Sequence, residues 1–166
     1  MGWKFFQNNE EVSQHLTNLF TQEFPEFEEI LLDHIASLVG LMSRVAFADS
    51  DFSTSEQDFI KKNLKVFFEL DETVINKIID ITKTEYQNFL GIDNQLMTKF
   101  FKQHYSAEKR NQLLEFLFTL GAIDSRVDQS ESEELRLITQ GLDLTPQHFL
   151  AARAKVKEHI AALKKN

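Results

Sequence analysis

Two short stretches of this sequence carry the residue types from which chemistry is built. The first is Asp49-Ser-Asp-Phe-Ser-Thr-Ser-Glu56 and the second is Asp124-Ser-Arg-Val-Asp-Gln-Ser-Glu131. In each an aspartate leads, a glutamate follows seven positions later, and a capping residue, Ser53 or Asp128, stands between them. Two readings are open. As local structure, Ser53 and Asp128 accept from the backbone N–H three residues on, while Glu56 and Glu131 reach back to the amide of the cap. Asp49 and Asp124 then brace the turn through its exposed amides. As a ligand site, Asp49, Asp51 and Glu56, with Asp124, Asp128 and Glu131 in the second stretch, offer only oxygen donors. That set suits Ca²⁺ or Mg²⁺, and Zn²⁺ less.

The spacing Asp49-x-Asp51-x-Ser53 matches the start of a calcium loop. However, Thr54 stands where such a loop needs glycine, and Ile60 where it needs a bidentate glutamate. Arg126 replaces Asp51 in the second stretch, so an ion would sit better in the first, or Arg126 and Asp51 pair with each other.

Most other chemistry has no residues to perform it. The chain contains no cysteine, which excludes disulfides, thiolate metal sites and cysteine nucleophiles. It has no glycine-rich phosphate loop, no Gly-x-Ser-x-Gly elbow and no His-Glu-x-x-His. The five histidines, at positions 15, 34, 104, 148 and 159, never fall in the Glu-x-x-His spacing of di-iron bundles. His34 lies in an apolar stretch and is expected to be a hydrogen-bonded core residue rather than a ligand or catalyst. As a general acid or base, Glu56 or Asp49 would need a partner and a cleft. An enzyme is therefore not expected. A metal-dependent hydrolase is the reaction class those carboxylates would serve, and a purely structural assembly domain is a third reading.

The charge of −8 argues against nucleic acid as a partner, because phosphate binding needs a basic footprint. Lys155, Lys157, Lys164 and Lys165 complement the negative end of a last helix. No apolar run reaches the length of a membrane span. The start lacks the apolar stretch of a signal peptide, and Phe6 stands where a myristoylation motif needs a hydroxyl, so a cytoplasmic chain is expected. Near that start, Trp3, Phe5 and Phe6 read as a staple packed under the first helix; exposed, they would form a patch for a partner or a bilayer surface.

The elements that must position the two acidic stretches are helices. Across 166 residues there are sixteen phenylalanines but only five glycines and two prolines, a balance that suits long helices and one compact domain. Apolar periodicity predicts about eight of them. The first spans roughly residues 10–22. Pro25 opens the second, which runs to about Ala48 and is apolar on nearly every side from Ile30 onward, as a central helix would be. Ser53 caps the third, Asp71 the fourth, which ends before Gly91, and a shorter one covers residues 95–104. Ser106 caps a helix through Ile123, Asp128 opens one that stops at Gly141, and Thr145-Pro146 starts the last, to about Leu163.

The two halves superpose on paper as an internal, pseudo-twofold duplication covering about residues 30–90 and 106–163. With a shift of 75, Leu38 falls on Leu113, Met42 on Leu117, Val45 on Leu120, Asp49 on Asp124, Glu56 on Glu131 and Ile60 on Leu135. The doubled segment, Ala46-Phe-Ala-Asp49 to Glu56 and Gly121-Ala-Ile-Asp124 to Glu131, resembles the TerB-like family of tellurite-resistance proteins and DnaJ-type co-chaperone domains. The resemblance runs from about Ile30 to Leu163, with Ser50 and Ser125 where the family usually has glycine. It implies an all-α fold, an acidic surface suspected of binding metal, and a stress-response role near membranes. The doubled acidic turn and the absence of catalytic motifs point first to a non-enzymatic interaction module of this type, presenting those turns to a partner protein, membrane-associated ones included.

Overall fold

A computed structural model of the chain describes residues 16–48, 52–89, 94–123 and 129–164. Every regular element among them is an α-helix, and there is no strand. The first, α1, is described over residues 16–23. It is followed by α2 (Glu29–Ala46), α3 (Thr54–Phe68), α4 (Glu72–Phe89), α5 (Asn94–His104), α6 (Ala107–Gly121), α7 (Gln129–Gly141) and α8 (Pro146–Lys164). The expected all-α class is thus the observed one. Among the described residues, no helix is long and apolar enough to cross a membrane.

Helix α2 occupies the middle. Leu32, Ile35, Leu38, Val39, Leu41, Met42 and Val45 point in several directions around its axis, yet all are buried. A helix apolar on so much of its circumference reaches a low free energy only when other helices cover it. Helices α3, α4, α5, α6 and α7 all pack against it, while α6 and α8 pair on the outside. Three hydroxyls drawn into this core are satisfied within their own helices. Ser43 donates to the Val39 carbonyl at 2.7 Å, Thr82 to Ile78 at 2.7 Å, and Thr139 to Leu135 at 2.6 Å. Each bond costs a little helix regularity and avoids the larger cost of a buried hydroxyl without a partner.

Several helix starts follow local chemistry. Ser106 accepts from the Lys109 amide at 3.2 Å. The Asp71 carbonyl accepts the bond from the Ile75 amide as α4 begins. At α8, Thr145 Oγ1 accepts from the His148 amide while the Thr145 amide donates to His148 Nδ1, a reciprocal cap with histidine in the usual glutamate place.

The expected start of α2 at Pro25 is corrected. The Phe24 amide bonds the Phe20 carbonyl and closes α1, and the Phe27 amide bonds the Phe24 carbonyl across a tight turn. Pro25 therefore takes the second position of a turn, where its fixed φ is equally at home, and α2 begins four residues later, at Glu29. Packing decides between the two. Phe24 is buried and meets Phe20 on one side and Phe27 on the other, at ring separations of 6.3 and 6.0 Å, so the chain must fold back there.

The end of α7 is also instructive. Gly141 looks like a helix-terminating glycine, yet it is still helical, and no described glycine has positive φ. The left-handed position belongs to Asp143, at φ 56°. Its amide bonds the Gln140 carbonyl, and the Leu144 amide bonds that of Thr139, the paired bonds of a Schellman motif. What requires glycine at 141 is proximity: a Cβ there would lie 2.7 Å from Thr98 Oγ1 and 3.0 Å from Thr98 Cγ2, where α5 crosses α7. Gly141→Ala is expected to cost about 1–3 kcal/mol through overpacking. Urea denaturation should show the loss, and Thr98→Ala in the same chain should restore part of it.

Candidate functional site

The first acidic turn leaves α2 at Phe47 and enters α3 at Ser53. The Phe47 and Phe52 rings meet at 4.4 Å, an aromatic clasp across the base of the turn. Ser53 is extended, with φ −66° and ψ 158°, so its side chain faces the start of α3. Its hydroxyl accepts from the Glu56 amide at 3.1 Å, and its own amide donates to Glu56 Oε1 at 3.0 Å. The capping box expected from Ser53 and Glu56 is present in full. Glu56 is only 3 % exposed, and this bond gives its carboxylate one defined structural duty.

In the second stretch, Glu131 sits in the first turn of α7 and is 5 % exposed. Both glutamates named in the sequence are thus buried, each one turn into its helix. Asp49, Asp51, Asp124 and Asp128 lie outside the described residues, as does Arg126 and its suggested pairing with Asp51. Trp3, Phe5 and Phe6 also lie outside them. Among the described residues, no group of three or more histidines or acids is placed to hold a metal.

A link between the two stretches comes from a residue not singled out in the sequence. Arg44, in the last turn of α2, donates from Nε to Glu134 Oε2 at 3.2 Å and from Nη2 to Glu134 Oε1 at 3.4 Å. The Arg44 side chain is 10 % exposed and that of Glu134 24 %. A two-point guanidinium–carboxylate contact, largely shielded from water, fixes orientation as well as distance. It ties the end of α2, just before the first acidic turn, to the helix that follows the second. A cation within an otherwise apolar helix was the available signal.

The other polar feature of the core surrounds His34. Its Nε2 lies 2.7 Å from the Tyr105 hydroxyl, and its ring is stacked on Phe100 at 4.8 Å and meets Phe68 edge-on at 5.0 Å. It is half-buried and hydrogen-bonded, close to the expected core histidine, with a partner 71 residues away. Burial lowers its pKa below the ordinary 6.5, the charge of His104 lowers it further, and Asp33 partly opposes both. Burial likewise raises the Tyr105 pKa above 10.0, so the pair is neutral at pH 7.

Beside this pair opens a groove of about 390 Å³. Its floor is Leu38 and Leu113, its aromatic walls include Phe67 and Phe116, and Lys109 stands at the rim. Three different helices supply these five side chains. The last helix gives up its expected simplicity in one place: Lys155, assigned to the helix end, instead pairs with Glu115 on α6 at 3.1 Å.

A family model described as tellurite resistance protein TerB matches residues 22–154, well over half of the chain, and the chain belongs to that family. No curated protein and no solved structure matches it.

The lowered His34 pKa sets a sign for stability against pH. The unfolded chain binds the proton more readily, so the contribution is complete above pH 6.5 and is lost as pH falls through the lower folded value. The urea midpoint of the wild type should therefore drop between pH 7.5 and 5.5 by more than that of His34→Gln. Equal drops would remove His34 as the source.

Proposed function

We propose that this TerB domain is a non-catalytic binding module of the tellurite-resistance, stress-response type, working in the cytoplasm. The surface around its two acidic turns meets a partner protein, membrane-associated partners included, and takes up a divalent cation. TerB domains are in general not enzymes, and this chain has none of the nucleophile or phosphate-loop motifs that would set it apart. The observation that carries the reading is the matched burial of Glu56 and Glu131, 3 % and 5 % exposed, each heading the helix that follows an aspartate-led turn. Burying a carboxylate is costly unless the structure uses it, and here the cost is met twice at corresponding positions.

The same correspondence supports the duplication. In each half an apolar helix ends in a turn, α2 at Phe47 and α6 at Ala122, and a helix with a buried glutamate in its first turn follows. Val45 and Leu120, two residues before each break, are both fully buried, as are Ile60 and Leu135 after it. We read residues 1–166 as one domain holding repeats over about 30–90 and 106–163. In the first turn, Asp49, Asp51 and Glu56 are the oxygen donors we assign to the cation. The second set, Asp124, Asp128 and Glu131, has Arg126 beside it and binds more weakly.

Calorimetric titration of Ca²⁺, Mg²⁺ and Zn²⁺ into the protein and into an Asp49→Ala, Asp124→Ala double variant tests this. Saturable binding of Ca²⁺ or Mg²⁺ is expected, weakened in the variant by at least about tenfold. If no ion binds and partner capture is the same for both proteins, the turns are helix caps and the proposal fails. A metal-supported hydrolysis that disappears with Glu56→Ala would replace it with an enzyme.

A further inference from the structure

The groove beside His34 and Tyr105 is unconnected with the acidic turns. Its walls are aliphatic and aromatic: Leu38 and Leu113 are buried at its base, Phe116 is half-buried, and Phe67 is 55 % exposed at its edge. The wall is organised rather than loose, since the Phe67 and Phe116 rings meet edge-on at 5.7 Å and Phe59 stacks on the far side of Phe116 at 5.2 Å. The volume, about 390 Å³, lies within the roughly 300–1,000 Å³ typical of small-molecule sites.

Its polar groups are few and uneven. His34 and Tyr105 hydrogen-bond each other at 2.7 Å and are neutral at pH 7, so they add polarity without charge. Lys109 is the one charged residue in the lining, it is exposed, and it makes no ion pair among the described residues. It stands in the first turn of α6, so the positive end of that helix reinforces its charge. Gln112, one turn further along α6, adds an amide to the same lining. In a chain of net charge −8, an ammonium with no ion pair among the described residues, at the mouth of an aromatic groove, is a local positive focus in a negative field.

We propose that this groove binds a small amphiphilic carboxylate, its acyl or aryl body lying along the joined Phe67–Phe116 wall over Leu38 and Leu113 and its carboxylate on the Lys109 ammonium. Both halves of the ligand are needed: the apolar walls supply burial, and the single cation selects an anionic head over a neutral or cationic one. One head group suffices because the lining holds one charge. A long helix or strand from another protein would extend well past a groove of this size.

The test uses decanoate as the probe, with decanol and decylamine as matched controls, below their aggregation concentrations and by calorimetry on the intact chain. Decanoate should bind saturably at one site, decanol at least about tenfold more weakly, and decylamine not at all. Lys109→Glu, an exposed change that spares the core, should lower decanoate affinity by about tenfold or more without altering the circular dichroism. Phe67→Glu should do the same from the aromatic wall. Absence of saturable decanoate binding overturns the proposal, as does decanol binding as tightly or Lys109→Glu binding unchanged. Light scattering that shows a dimer of the wild type dispersed by Phe67→Glu would also overturn it, making the groove a contact between two copies.

Discussion

Burial of helix α2 is the constraint from which the rest of the structure follows. From Leu32 to Val45 its apolar side chains leave no broad face for water, so the helix has to be surrounded. Five helices meet that demand, and α6, itself covered by α8, is nearly as buried as α2 in its second half. Removing a single fully buried leucine from such a centre would cost about 2–5 kcal/mol, a large share of a typical domain's stability. The acidic turns and the groove inherit their positions from this arrangement. One turn leaves the C-terminal end of α2, and one wall of the groove is built on its flank.

A core organised this way tolerates polarity at a cost that hydrogen bonds offset at most of the observed exceptions, although the Arg110 Nε is buried with no hydrogen-bond partner among the described residues. The buried hydroxyls of Ser43, Thr82 and Thr139 bond the carbonyls of their own helices. Glu56 caps α3, and Arg44 reaches Glu134 at two points. Arg110 on α6 donates to the Leu142 carbonyl at the end of α7, and Arg136 lies 5.0 Å over the Phe149 ring of α8. These contacts join helix to helix near their ends, where carbonyls and amides lack intrahelical partners. Apolar packing sets which helices are neighbours, and the polar contacts set where each one stops.

Local chemistry was legible in the sequence and distant chemistry was not. Ser53 and Glu56 are three residues apart, so their reciprocal bonds follow from spacing alone, and the apolar period of α2 announced a central helix. Pro25 misled because its fixed φ serves the first residue of a helix and the second residue of a turn equally well. Only the packing of Phe24 against Phe20 and Phe27 separates the two. The helix ends at Gly141 as expected, but what excludes a side chain there is Thr98 on another helix, which the sequence does not reveal. The His34–Tyr105 bond, the Arg44–Glu134 contact and the groove all join residues far apart in the chain. No periodicity encodes them, and they come into being with the tertiary fold.

The two candidate binding regions differ in how the fold can hold them. His34 and Arg44 are ten residues apart on α2, roughly 15 Å along its axis, and a helix packed on all sides does not bend freely between them. The groove is therefore preorganised: its floor of Leu38 and Leu113 belongs to the core, so a ligand entering it meets a surface already formed and pays little to order it. The acidic turns are the opposite case. Their glutamates are fixed by the starts of α3 and α7, while their aspartates lie outside the described residues. On the proposed cation reading, selectivity rests on the number and charge of the oxygens in each sequence stretch, and the Asp51 to Arg126 exchange changes the charge there by two. One fold thus places an apolar recess on the flank of the central helix and the first acidic turn at its end, with the second turn between α6 and α7.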